Sequence, residues 1–140
     1  MEWKEKIIYG DAAWSGRILV KSPVLVTKNG SLTIRPGTTV YFDLPPSENC
    51  EPWVLVMGKI DVSGEAGRPV RLISVPLMNE NGEQDMFSVQ GAREARFFKA
   101  SFERAGWAIH LHDTPKALIS ENRFSNGYGG VRFKNNGLVI

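Results

Sequence analysis

Two consecutive stretches of the chain, residues 95–116 and 117–138, align without gaps at a spacing of 22 residues. Ala95 falls on Ala117, Phe97 on Ile119, Phe102 on Phe124, Ile109 on Val131 and Leu111 on Phe133. Only Ala95/Ala117 and Phe102/Phe124 are identities, so the signal lies in the apolar pattern. One further step back places Phe87 and Val89 on Ile109 and Leu111. Between these apolar columns stand Ser88/His110/Arg132 and Gln90/His112/Lys134, alternating as the pleat of a strand requires. A unit of this size, made of short alternating strands, is one turn of a β-solenoid.

The rest of the chain agrees with that class. Short β-rich runs recur at Val24–Val26, Leu32–Ile34, Val40–Phe42, Val54–Val56, Ile60–Val62, Val70–Ile73 and Phe87–Val89. Turn residues such as Lys28-Asn29-Gly30 and Arg35-Pro36-Gly37 separate them, and no long 3.6-residue periodicity appears. Polar insertions at 43–52 and 76–84 read as loops that leave the coil. The expected architecture is all-β, a parallel solenoid of about five coils of ~22 residues. Residues 1–16, with Trp3, Ile7, Ile8, Tyr9 and Trp14, are expected to cap the first coil, and residues 17–140 to form the coils. Leu138-Val139-Ile140 reads as the start of a coil that is incomplete here, an open end at which a second copy could associate.

A chain of 140 residues supports one domain with a real core. No stretch approaches the ~20 apolar residues of a membrane span. One cysteine, Cys50, excludes an internal disulfide. The net charge of +2 conceals an asymmetry: residues 93–140 hold eight Lys/Arg against four Asp/Glu. That surplus suits an acidic partner and is too small to argue for nucleic acid.

The segment Trp14-Ser15-Gly16, then Val24–Val26, then Gly30–Phe42 (GSLTIRPGTTVYF) resembles the opening of bacterial right-handed parallel β-helix proteins. Residues 117–133 (ALISENRFSNGYGGVRF) resemble the repeat of the pectin-lyase-like and NosD-like groups. The resemblance implies a right-handed triangular coil of three parallel sheets. It also implies an exported, bacterial, surface-associated protein whose leader is absent from this numbering. Members of the group include polysaccharide lyases and hydrolases, tailspikes and adhesins. Their catalytic constellations have no counterpart here, so the likeness extends to architecture and not to chemistry.

Candidate site residues follow from the register. His110 and His112 face one way on a strand, but Arg132 and Lys134 stand on the same columns one coil on and would repel a cation. No metal or other cofactor is therefore expected. The four residues instead suggest a polar patch for a carboxylate-bearing sugar, with Trp107 and Tyr128 as stacking platforms. The acids Glu94, Glu103, Asp113 and Glu121 include no two at equivalent positions, so no catalytic residue is assigned. Glu121 falls on Lys99, which suggests a cross-coil ion pair. Asn122, Asn126, Asn135 and Asn136 suggest structural turns. The expected function is a β-helix module that binds acidic polysaccharide or serves a structural role, without catalysis in this chain. The alternatives are the N-terminal portion of a polysaccharide lyase or glycoside hydrolase, and a self-assembling structural solenoid.

Overall fold

The computed structural model describes residues 2–3, 7–44, 51–75, 84–134 and 136. Cys50, most of both expected loops, Asn135 and Leu138–Ile140 lie outside the described residues. The chain is all-β. Its strands come in successive sets of three: β1 (Glu2–Trp3), β2 (Ile7–Ile8) and β3 (Asp11–Trp14), then β4 (Arg17–Val20), β5 (Val24–Val26) and β6 (Ser31–Ile34). The next set is β7 (Thr39–Phe42), β8 (Val54–Val56) and β9 (Lys59–Ser63), followed by β10 (Val70–Ser74), β11 (Asp85–Gln90) and β12 (Glu94–Phe98). Last come β13 (Ala100–Glu103), β14 (Trp107–His112), β15 (Ala117–Ser120), β16 (Arg123–Ser125) and β17 (Gly129–Lys134).

Every third strand joins the same sheet. The orders are β1-β4-β7-β10-β13-β16, β2-β5-β8-β11-β14-β17 and β3-β6-β9-β12-β15. All pairs between these strands are parallel. The 22-residue register reappears residue for residue: Ala95 pairs with Ala117, Phe102 with Phe124, Phe87 with Ile109 and Ile109 with Val131. Residues 1–16 supply β1, β2 and β3, which pair with β4, β5 and β6. Within that segment Ile8 and Trp14 are buried, whereas Ile7 and Tyr9 are exposed.

Strands form here because each offers one apolar face at period two. Ile18, Val20, Val24, Val26, Leu32, Ile34, Val40 and Phe42 are all buried, and their neighbours in sequence face out. An aromatic series continues through the later coils. Phe87 meets Phe42, Phe97 and Phe102 edge-on at ring distances of 6.0, 5.4 and 6.2 Å, and Phe102 stacks on Phe124 at 5.2 Å.

Turn geometry repeats with the coil as well. Gly91 and Asp113, Lys99 and Glu121, and Arg104 and Asn126 are three pairs 22 residues apart, and every member has a positive φ. Lys99 and Glu121 therefore share a left-handed turn. The ion pair expected between them is absent among the described residues, where Lys99 Nζ lies over the Phe98 ring at 5.1 Å. Two asparagines tie each turn to the previous coil in identical fashion. Asn122 accepts from Ala100 N and donates to Phe97 O, while Asn136 accepts from Thr114 N and donates to Leu111 O. Their structural role matches the sequence reading. No helix among the described residues is long and apolar enough to cross a membrane.

Candidate binding site

Strict alternation fails at the start of two neighbouring strands, and the failure builds the site. Met86 and Phe87 are both buried in β11, as are Ala108 and Ile109 in β14. Two consecutive inward residues shift the phase, so Asp85 and Trp107 reach the outward side that also carries Ser88 and His110. Asp85 pairs in register with Trp107, and Trp107 with Gly129 of β17. A Cβ at Gly129 would lie 2.5 Å from the Trp107 ring, so the glycine leaves room for the indole to lie across β17.

Asp85 is the centre of the cluster. Its side chain is only 8% exposed and spans two coils. One oxygen, Oδ2, lies 2.9 Å from His110 Nδ1, and the other, Oδ1, accepts from Arg132 Nη2 at 2.9 Å. Burying a carboxylate is costly unless it is paired and hydrogen-bonded, and here both oxygens have a partner. The ring of His110 then points its second nitrogen outward: Nε2 lies 2.7 Å from His112 Nε2, with the two rings nearly perpendicular. A carboxylate only accepts, so Nδ1 of His110 carries a proton.

Arg132 is held on two sides. Its guanidinium carbon lies 5.1 Å from the centre of the Trp107 ring, a cation–π distance, in addition to its bond to Asp85. Its Nε is buried with no acceptor among the described residues. Trp107 in turn meets Tyr128 edge-on at 5.9 Å, and Tyr128 is 60% exposed. Lys134 pairs in register with His112 and is exposed, with no hydrogen bond or ion pair to its ammonium among the described residues. One coil earlier, Gln90 donates to Ser88 Oγ at 2.8 Å and so ties off the polar groups beside the histidines.

All six residues expected from the sequence stand on one face around β14 and β17. Contacts join Trp107, His110, His112, Tyr128 and Arg132, directly or through Asp85; Lys134 shares only the register. The residue that sequence reasoning missed is Asp85. The 22-residue spacing does put it on the column of Trp107, and that was the available signal. Alternation counted back from Phe87 turns Asp85 inward, next to an expected loop, and this masks the signal. No family model, curated protein or solved structure matches this chain. The site is read from its own geometry.

Two surface grooves lie elsewhere, and neither holds the histidines. One, of about 530 Å³, runs beside β10, β13 and β16 and is lined by Glu65, Arg71, Lys99, Glu103, Glu121 and Arg123. The other, of about 810 Å³, includes Asp11, Arg35, Lys59, Arg93, Glu94 and Lys116. Each holds an ion pair between lining charges: Arg71 with Glu103 at 3.1 Å in the first and Lys59 with Glu94 at 3.5 Å in the second. Exposed pairs of this kind contribute little and aim at no common point. The converging, buried hydrogen bonds are at Asp85.

Proposed function

We propose that this chain is a module of a right-handed parallel β-helix of the pectin-lyase-like type, exported and surface-associated, that binds an acidic polysaccharide. The handedness is favoured because parallel strands joined by crossovers are right-handed in nearly all cases. The observation that carries the binding reading is the exposed Tyr128 ring, held against Trp107 beside the cations Arg132 and Lys134. An aromatic platform next to a cation meets both parts of a uronic-acid unit, its apolar ring face and its carboxylate. Asp85 already occupies one Arg132 nitrogen, which leaves Lys134 as the open ammonium for a sugar carboxylate.

Titration of the chain with polygalacturonate and alginate, against neutral dextran and in the presence of chelator, tests this. Saturable binding to an acidic polymer, weakened by salt and by Lys134→Ala or Tyr128→Ala, is the expected result. Failure to bind any acidic glycan would end the proposal. The Asp85–His110 bond favours a second reading, a portion of a polysaccharide lyase, because a carboxylate-oriented imidazole is what a general base requires. That reading expects the ultraviolet absorbance of unsaturated sugar ends to grow on incubation with a uronate polymer, and to stop growing in His110→Gln.

A further inference from the structure

The two histidines have a second chemistry that owes nothing to sugars. His110 Nδ1 is held by Asp85 at 2.9 Å, and this fixes which nitrogen faces outward. Metal-ligating histidines characteristically use their other ring nitrogen in this way, toward a carboxylate that orients the ring and raises its basicity. The outward Nε2 then meets the Nε2 of His112 at 2.7 Å. Two nitrogen donors bound at ~2.0 Å and at right angles stand ~2.8 Å apart, whereas tetrahedral placement separates them by ~3.3 Å. The 2.7 Å between them is set by the hydrogen bond they share, so a small turn reaches either placement, and nitrogen donors bind copper(II) and nickel(II) the most tightly of the first-row divalent ions. We infer that His110 and His112 form a two-imidazole site for a divalent late transition-metal ion of tetragonal preference, copper(II) or nickel(II), with Asp85 orienting the inner ligand.

On binding, the proton between the two Nε2 atoms leaves His112 Nε2 and a proton is taken up at its Nδ1, so both rings stay neutral, and His112 turns so that both Nε2 lone pairs meet the ion. That turn is open to it: among the described residues its ring makes no hydrogen bond other than to His110. The objection raised from the sequence, repulsion by Arg132 and Lys134, is weakened by the structure. Asp85 Oδ1 compensates the Arg132 guanidinium at 2.9 Å, and Trp107 holds it over its ring. Lys134 is exposed on a flexible stem and screened by solvent. No third His, Cys, Asp or Glu joins the pair among the described residues, so water completes the coordination.

The chain contains two histidines in all, so any ion bound by two imidazoles of one molecule identifies this pair. The test uses the full chain with its α-amino group acetylated and Cys50→Ser to remove a competing thiol. Copper(II) is supplied as its glycine complex at neutral pH. Pulsed electron paramagnetic resonance is expected to show two equatorial imidazoles on one ion, at one equivalent per monomer by sedimentation. His112→Gln should leave one imidazole and lower the affinity by at least about tenfold. Asp85→Asn should lower it by roughly 10- to 100-fold while keeping both imidazoles. A single imidazole in the parent chain, a two-imidazole signal that appears only in a metal-linked dimer, or unchanged affinity in His112→Gln would overturn the inference. Should Asp85→Asn fail to fold, the parent spectrum and His112→Gln decide alone.

Discussion

One sheet of this protein presents two different outward faces. Along β2, β5 and β8 the outward column reads Ile7, Leu25, Leu55; along β11, β14 and β17 the same column continues as Ser88, His110, Arg132. The inward columns do not change in kind: Val24, Val54, Phe87 and Ile109 are all buried. The coil therefore specifies its interior throughout and leaves the exterior free. In the first half the exterior remains a simple apolar stripe. In the second half a nearly buried carboxylate, two histidines, an arginine and two aromatic rings are bonded to one another across coils. Nothing in coil stacking requires that arrangement, and this contrast is why the proposed binding surface is assigned to the second half.

The contrast can be broken at its base by cutting the interior that both halves share. Phe87→Ala removes a fully buried ring that touches three others, and a loss of about 3–5 kcal/mol in urea unfolding is expected. Next in size is Asp85→Ala, which leaves Arg132 and His110 without their acceptor. Since those two partners are part-exposed, the expected loss is about 2–3 kcal/mol, below that for a fully buried pair. A change below about 0.5 kcal/mol, the range of ordinary surface substitutions, would make Asp85 no more than a surface charge and erase the difference between the halves. Smallest is Leu25→Ser on the apolar stripe, expected to cost under about 1 kcal/mol and to leave polysaccharide binding unaltered. A large effect on binding there would mean that the functional face extends across the whole sheet.

The sequence carried the architecture well because the register is a physical requirement of stacking. Ala95/Ala117 and Phe87/Ile109/Val131 had to be apolar for a coil to sit on its neighbour, and they pair as expected. Phe133 pairs with Leu111 on its expected column but is 62% exposed: register sets which residues align, and burial needs further packing around them. The site was less legible. Alternation pointed His110, His112, Arg132 and Lys134 outward, and they do share one face of β14 and β17. Asp85 was lost because two adjacent inward residues, Met86 and Phe87, invert the phase just before them. The Lys99–Glu121 pair misled for a related reason. Equivalent positions in successive coils share a backbone conformation, here left-handed, and that sharing does not oblige opposite charges to meet.

The central claim, that the face around Trp107 takes an acidic sugar polymer, is tested most directly by fluorine resonance on chain labelled throughout with fluorotryptophan. Trp107 is assigned by Trp107→Phe. Trp14 and Trp53 are buried and serve as internal controls. With saturating oligogalacturonate in chelator, the Trp107 resonance is expected to move while those of Trp14 and Trp53 hold their positions. An unmoved Trp107 resonance, or equal movement of the buried tryptophans, would contradict the account.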